Sequence, residues 1–303
     1  MSLLSVEIAG VKMKNPVITA SGTFGFGREY SEFYPLSRLG GVSTKGLTLK
    51  PRSGNPPPRI AETPCGILNS VGLQNPGVEA FLREDLPWLR EQGTAVIANI
   101  AGSCVEDYCE MARLLSDSAI DMIELNISCP NVKEGGVAFG TRCENVERIT
   151  AAVRKSCGKP LMVKLSPNVA DIGEIAAAAE AAGADAISLI NTLTGMRIDL
   201  KTRRPVLHNN TGGMSGPAVF PVAVRMVWQA ASRVKIPVVG LGGIATWQDA
   251  AEMMLAGASA IQVGTAIFND PYAPVRIVEG LEEFCRSEGV ASVSELVGQV
   301  RPW

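Results

Sequence analysis

The residues best suited to chemistry stand at the ends of short apolar segments along the chain. Two of these ends carry lysines, Lys45 and Lys164, and three others carry asparagines, Asn99, Asn126 and Asn191. Buried amide and ammonium groups cost free energy unless a ligand or a neighbouring group satisfies them. Ordinary turn chemistry explains any one of these residues but explains the whole set poorly, so the sequence predicts a ligand site.

A cysteine follows one of these ends closely, because Cys129 stands three residues after Asn126 and just before a glycine-rich stretch, residues 133–140. A cysteine in such a loop can be a nucleophile, a metal ligand or a proton acceptor. A nucleophile usually needs a histidine, and the only one, His208, is far away in the chain. Metal ligands at fixed spacing are absent. A general base remains, since a thiol titrates at about 8.5.

Small residues follow two further apolar segments, at Gly242-Gly243 and at Gly264-Thr265. Backbone N–H groups without a nearby Cβ can close on an anion, and many barrels hold a phosphate after their seventh and eighth strands. Residues 240–245 also match a loose dinucleotide fingerprint. That alternative is weaker, because the match lies late in the chain and no acidic residue ends the next strand.

The elements that must position these residues are short apolar strands that alternate with helices. The apolar runs are continuous, as expected for parallel strands covered on both faces. The predicted strands are residues 16–20, 41–45, 95–100, 121–128, 160–166, 185–191, 236–241 and 260–264. The clearest predicted helices are residues 105–115, 143–155, 172–182, 218–233 and 246–256.

Eight strands in this alternation favour a (β/α)₈ (TIM) barrel, with a doubly wound open sheet as the alternative. Residues 168–171 are expected to open one helix and Thr246 to cap another. Insertions are predicted after strands 2, 4 and 6, where barrel enzymes build their sites. No linker divides the chain, so residues 1–303 are interpreted as a single domain.

Composition excludes several classes of protein. The chain has 303 residues, 46% of them hydrophobic, and a net charge of −2 without a long basic run, which argues against nucleic acid as a partner. The N-terminus lacks the features of a signal peptide, and no apolar run is long enough to span a membrane. Seven scattered cysteines without a C-x-x-C motif argue against disulfides and favour a reducing cytoplasm. Cys104 and Cys109 match the C-x₄-C start of a plant-type iron–sulfur motif, but no further cysteine follows at the short spacing that this motif requires.

Five segments, in the same order and spread along the chain, resemble the dihydroorotate dehydrogenase family. The most specific are the cysteine loop, residues 126–133, and the segment at residues 69–77. The others are residues 20–29, 164–168 and 212–217. The resemblance implies a flavin barrel that oxidises dihydroorotate to orotate in the synthesis of pyrimidine nucleotides (UMP).

The resemblance also implies roles for individual residues, with one FMN per chain and no metal. The FMN contacts would be Ser21, Lys45, Gly46, Asn99, Asn126, Lys164, Ile190, Gly216, Gly242, Gly243, Gly264 and Thr265. The substrate contacts would be Lys45, Asn69, Ser70, Val71, Gly72, Leu73, Asn126, Asn191 and Thr192. Cys129 would be the base that removes the C5 proton while hydride leaves C6 for FMN.

The base and the position of the first strand separate the branches of this family. The membrane-linked branch uses a serine base and carries an N-terminal extension, whereas here strand 1 begins by Pro16 and the base position is Cys129. The amino-acid sequence around residues 24–28, 74–76 and 195–200 resembles that of the NAD-linked class 1B branch. Its electron-transfer partner would carry FAD and a two-iron iron–sulfur cluster, in a cytoplasmic heterotetramer of two catalytic and two electron-transfer chains.

Other functions stay open at this stage. One is a fumarate-linked dihydroorotate dehydrogenase, and another is a related FMN-dependent dihydropyrimidine dehydrogenase acting on dihydrouracil. A Schiff-base aldolase using Lys45 or Lys164 belongs to a different enzyme class. A non-catalytic binding barrel would need neither the cysteine loop nor two lysines at one end.

Overall fold

Eight short parallel strands close into a barrel in the computed structural model, which describes residues 2–127 and 140–303. In chain order the barrel strands are β1 Val17–Thr19, β2 Gly41–Ser43, β3 Ala95–Ile100, β4 Met122–Asn126, β5 Leu161–Lys164, β6 Ala186–Leu189, β7 Val238–Leu241 and β8 Ala260–Val263. Each lies within a segment predicted to be a strand. The barrel closes where Ile261 of β8 pairs with Val17 of β1. The predicted (β/α)₈ barrel is confirmed, and the open-sheet alternative is wrong.

Helices follow the strands and cover the outside of the barrel. The α-helices are Val78–Ala80, Leu86–Glu91, Val105–Ser116, Cys143–Ser156, Ile172–Ala181, Phe220–Ala231, Trp247–Leu255, Ala266–Asn269 and Ala273–Glu288. A π-helical turn, Phe81–Asp85, joins the first two, and 3₁₀ turns occur at Tyr30–Glu32, Leu36–Arg38, Pro217–Val219 and Val293–Leu296. The five predicted helices are confirmed with small differences at their ends.

Side chains at two helix starts satisfy backbone N–H groups that have no partner within the helix. Asp171 accepts hydrogen bonds from the backbone nitrogens of Gly173 and Glu174, at 2.8 and 3.2 Å. Thr246 and Asp249 form a reciprocal capping box at the start of Trp247–Leu255. Both starts were expected from the sequence, because Asp and Thr are residues that favour this position.

A β-hairpin precedes the barrel, with Val6–Ile8 antiparallel to Val11–Met13. Its buried residues Ile8 and Met13 join the same apolar core as the outward faces of the barrel strands. The sequence did not indicate this hairpin, since each of its strands has only three residues.

Two insertions meet over one end of the barrel. Ile60–Thr63 and Gly66–Asn69 follow β2, whereas Leu193–Gly195 and Gly212–Ser215 follow β6, and the four form one antiparallel sheet. We call it the mouth sheet. The central pairing joins Asn69 to Gly213 and Ile67 to Ser215. The second insertion also contains a small antiparallel hairpin, in which the two-residue strands Ile198–Asp199 and Arg204–Pro205 pair. The predicted insertion after β4 falls mainly in residues 128–139, outside the described residues.

Gly66 is placed so that the mouth sheet leaves no room for a side chain. A Cβ there would lie 2.0 Å from the carbonyl oxygen of Ser215, a backbone atom that cannot turn away. Gly66→Ala should therefore lower the free energy of unfolding by about 1–3 kcal/mol, the usual cost of overpacking. Urea denaturation followed by circular dichroism measures it.

Gly158→Ala is the matched control, because the nearest atom to a Cβ there is the Cβ of Ser116 at an ordinary 3.7 Å. Equal unfolding midpoints for both variants would show that the mouth sheet is not fixed as described.

Candidate functional site

A cavity opens at the carboxyl ends of the barrel strands and is bordered by the mouth sheet. Every barrel strand contributes a lining residue from its own end or from the positions just after it. Most residues predicted to form the site meet here. They are Ser21, Lys45, Gly46, Asn69, Val71, Gly72, Leu73, Asn99, Asn126, Lys164, Ile190, Asn191, Thr192, Gly242, Gly243, Gly264 and Thr265.

Within the described part of the chain, two predicted residues are not among those that line the cavity. Ser70 is fully buried, and its backbone nitrogen donates to the carbonyl oxygen of Arg59. Gly216 follows the lining residue Ser215, and its carbonyl oxygen faces the loop after β7. Cys129 lies outside the described residues. Ser70 therefore contributes to the loop rather than to the cavity surface.

Charged and amide groups make the floor of the cavity polar. Lys164 ends β5, is only 3% exposed, and lies beside Asn126 of β4 in the strand register. The Nδ2 atom of Asn126 donates to Oδ1 of Asn99 at 3.3 Å. Lys45 follows β2 and is half-buried. Ammonium and amide groups at close quarters suit a ligand that carries negative charge and alternating donors and acceptors.

The segment at residues 69–73 is held against the cavity by the side chain of Asn75. Its Oδ1 atom accepts from the backbone nitrogens of Thr48 and Gly77, at 3.1 and 2.8 Å. Its Nδ2 atom donates to the carbonyl oxygen of Leu73 at 2.7 Å and to Oγ1 of Thr48 at 2.8 Å. One buried amide thus joins the start of the insertion after β2, at Thr48, to its later part at Leu73 and Gly77. Asn75 was not among the site residues predicted from the sequence.

The glycines after β7 form an edge of the cavity without side chains. Gly243 has a φ of +78°, and a Cβ there would lie 2.8 Å from the backbone nitrogen of Phe220 and 2.9 Å from the carbonyl oxygen of Gly216. Only glycine fits such a close approach. Across the cavity, Oγ1 of Thr265 donates to Oγ of Ser215 at 2.8 Å, which ties the end of β8 to the mouth sheet. This arrangement is typical of barrel phosphate sites.

A polar layer, which was not predicted from the sequence, lies inside the barrel next to this floor. Barrel interiors are usually filled by bulky branched residues, in layers drawn from alternate strands. Here the even strands β2, β4, β6 and β8 place buried Ser43, Glu124, Ser188 and Gln262 together. The signal was present in the sequence, because each is a polar residue inside an apolar strand.

Glu124 is the centre of this layer. Its Oε2 atom accepts from Oγ of Ser43 and Nδ2 of Asn99, each at 2.6 Å. Its Oε1 atom accepts from Oγ of Ser188 and Nε2 of Gln262, each at 2.8 Å. Burial by itself raises the pKa of this carboxyl, but the attraction of Lys164 and the hydrogen bonds outweigh burial and hold the pKa below its usual value.

The other candidate chemistries find little support in the described residues. Over residues 2–127 and 140–303, no group of three or more His, Cys, Asp or Glu side chains could hold a metal ion. His208 is exposed within the insertion after β6. In the same part of the chain, no helix is both long and apolar enough to cross a membrane.

The fold and the site define a (β/α)₈-barrel enzyme whose polar site lies at the carboxyl end of the strands. Comparison with known proteins narrows this class. The family model described as dihydroorotate dehydrogenase matches residues 3–285, and the chain belongs to that family. The resemblance seen in the five sequence segments is confirmed.

Individual relatives match nearly the whole chain. A protein of Alkaliphilus oremlandii is 57% identical over 297 residues, covering 98% of each chain. One of Geotalea uraniireducens is 56% identical over 97% of each chain, and one of Bacteroides fragilis is 55% identical over 98% of this chain and 99% of its own. Each is named "Dihydroorotate dehydrogenase B (NAD(+)), catalytic subunit".

Proposed function

We propose that this chain oxidises dihydroorotate to orotate in pyrimidine biosynthesis, as the catalytic subunit of an NAD-linked enzyme. The observation that carries the proposal is the full-length similarity to relatives of that name, together with one cavity that gathers most of the residues expected from the family. The whole chain acts as a single FMN-binding barrel domain.

The residues around the cavity fit FMN. A side-chain-free edge at Gly242 and Gly243 suits the phosphate, and apolar walls such as Ile190 and Leu241 suit a flat ring system. Gln262 adds an oxygen, Oε1, that is buried and has no hydrogen-bond partner among the described residues, as expected where a ligand N–H completes the site. The cofactor would be held by Ser21, Lys45, Gly46, Asn99, Asn126, Lys164, Ile190, Gly216, Gly242, Gly243, Gly264 and Thr265.

When bound, FMN supplies the hydride acceptor, and the protein supplies position and charge. Lys164 is buried at the floor, where its ammonium stabilises negative charge that develops during reduction. Its backbone is held in place, because its strand lies in the closed barrel between β4 and β6.

The substrate is read by amides and by one lysine. The ring edge of dihydroorotate alternates donors and acceptors, and the amides of Asn69, Asn126 and Asn191 offer both. Lys45 faces the substrate carboxylate, and its backbone nitrogen is anchored on the carbonyl oxygen of Gly25 at 2.8 Å. The remaining substrate contacts are Val71, Gly72, Leu73 and Thr192, with Ser70 supporting the loop from behind.

Cys129 is the base. Its thiolate would take the proton from C5 of the ring and the hydride would leave C6 toward the cofactor, so that two C–H bonds break and one C5=C6 double bond forms. A positioned base contributes about 10²–10⁴-fold to the rate. Cys129 belongs to the residues outside the described part of the chain, so its role rests on the family resemblance.

Electrons leave through a partner. The partner is an electron-transfer subunit with FAD and a two-iron iron–sulfur cluster, which passes electrons to NAD in a cytoplasmic complex of two catalytic and two electron-transfer chains.

The activity itself is tested by the colour of the flavin. Purified chain should be yellow, and anaerobic dihydroorotate should bleach the visible absorption as the flavin is reduced. Dihydrouracil lacks the carboxylate that Lys45 faces and should reduce the flavin far more slowly. Stopped-flow absorbance measures both rates. Flavin-loaded protein that stays oxidised under excess dihydroorotate contradicts the proposal, and faster reduction by dihydrouracil would reassign the substrate.

The base is tested by replacing the thiol. Cys129→Ala should lower the rate of flavin reduction by about 10²–10⁴-fold with FMN still bound, because the proton then has no positioned acceptor. Cys129→Ser should also be slow near neutral pH, since a hydroxyl is a far weaker base than a thiolate. Cys65→Ala, at an exposed cysteine, is the matched control and should retain the wild-type rate. A wild-type rate in Cys129→Ala would remove Cys129 from the reaction.

The partner is tested by native purification. Untagged chain should elute together with a subunit that contains FAD and iron, and dihydroorotate should reduce NAD only while that subunit is present. Cofactor analysis and size-exclusion chromatography measure the composition. A native preparation of this chain alone that rapidly reduces fumarate would assign it to the fumarate-linked branch instead.

A further inference from the structure

The carboxylate of Glu124 is the buried charge that the proposed reaction does not use. It is fully buried on β4 and makes no contact with solvent. Both oxygens are satisfied, because each accepts one hydroxyl and one amide hydrogen bond. A buried carboxylate is expensive unless it is paired and hydrogen-bonded, so four donors around one carboxylate mark a site in which the charge is retained.

An ionised carboxylate can only accept hydrogen bonds, and this fixes the amides that contact it. Asn99 and Gln262 must each turn their NH₂ group toward Glu124, so their oxygens are directed elsewhere. The oxygen of Asn99 accepts from Asn126, which lines the cavity. The oxygen of Gln262 is buried, has no partner among the described residues, and belongs to a residue that lines the cavity.

We propose that Glu124 is a positioning residue of the cofactor site. It orients the amide of Gln262 so that the oxygen is presented to the bound flavin, and it orients the amide of Asn99 so that its oxygen holds Asn126 at the cavity floor. The inference rests on the proposed function. Glu124 also places a negative charge beside the ammonium of Lys164, which opposes part of the positive charge that the site offers to a reduced cofactor.

Replacing the carboxylate by an amide removes both effects. Glu124→Gln has one oxygen and one NH₂ group in place of two oxygens, so the NH₂ faces donors. The hydroxyls of Ser43 and Ser188 can rotate to accept a hydrogen bond from the new NH₂ group. The amide of Gln262 can accept one only if it turns its oxygen toward residue 124 and its own NH₂ group toward the cavity. The cavity then gains a donor where it had an acceptor and loses a nearby negative charge. The loss of the negative charge favours the more negative, reduced flavin, and a donor in place of the acceptor weakens the contact with a ligand N–H.

The test is the midpoint potential of bound FMN in the full chain, measured by equilibration with a reference dye. Glu124→Gln should raise the ratio of reduced to oxidised flavin at a fixed potential at least tenfold, which is about 30 mV for two electrons. Glu252→Gln, the same change at an exposed residue of Trp247–Leu255, is the control and should leave the ratio unchanged. An unchanged potential in Glu124→Gln, even with a lower melting temperature, overturns the proposal.

A second variant keeps the proposal testable if Glu124→Gln does not fold. Gln262→Met keeps the length of the side chain but removes its amide, including the buried oxygen without a partner. The dissociation constant of FMN should rise at least tenfold, as measured by flavin fluorescence. An unchanged constant overturns the proposal, because Gln262 then offers nothing to the cofactor. Wild-type chain that binds no FMN would instead overturn the proposed function and this inference together.

Discussion

Glu124 carries a negative charge inside the barrel, and it can do so only because donors reach it from β2, β3, β6 and β8. The price of burying a carboxylate is high, so all four hydrogen bonds must be present together. Hydrogen bonds therefore fix the positions of the groups around Glu124. In an apolar barrel layer, by contrast, different side chains of similar volume could fill the same space. Strands that are distant in sequence become fixed relative to one another at the level just below the cavity floor.

The site above this layer depends on the same hydrogen bonds to Glu124. Asn99 is held by Glu124 and in turn receives the amide of Asn126, while Lys164 is attracted by the buried carboxylate. Binding groups that are fixed before a ligand arrives lose little conformational entropy when it binds. A rigid floor of this kind suits chemistry in which the protein's contribution is orientation and charge.

The mouth sheet, which borders the cavity above this floor, is built from insertions and not from barrel strands. Its strands come from insertions after β2 and β6, and neither insertion could pair its own edge fully without the other. Close backbone approaches, such as Gly66 against Ser215, allow the two to pack without side chains between them. The hydrogen bond from Thr265 to Ser215 then fastens the sheet to the end of β8. The cavity is thus bounded by segments that are far apart in the chain.

The sequence by itself determined the barrel, its eight strands, the helix start within residues 168–171, the cap at Thr246 and the membership of the family, because these depend on local periodicity, local capping and linear motifs. It also named most residues that line the cavity, since strand ends of a parallel barrel must meet at one mouth. Only the tertiary structure revealed the mouth sheet, the hydrogen bonds of Asn75 to Thr48, Leu73 and Gly77, and the polar layer around Glu124. Each of these joins residues whose partners lie in other elements, and a pairing between elements leaves no periodic signal in either one.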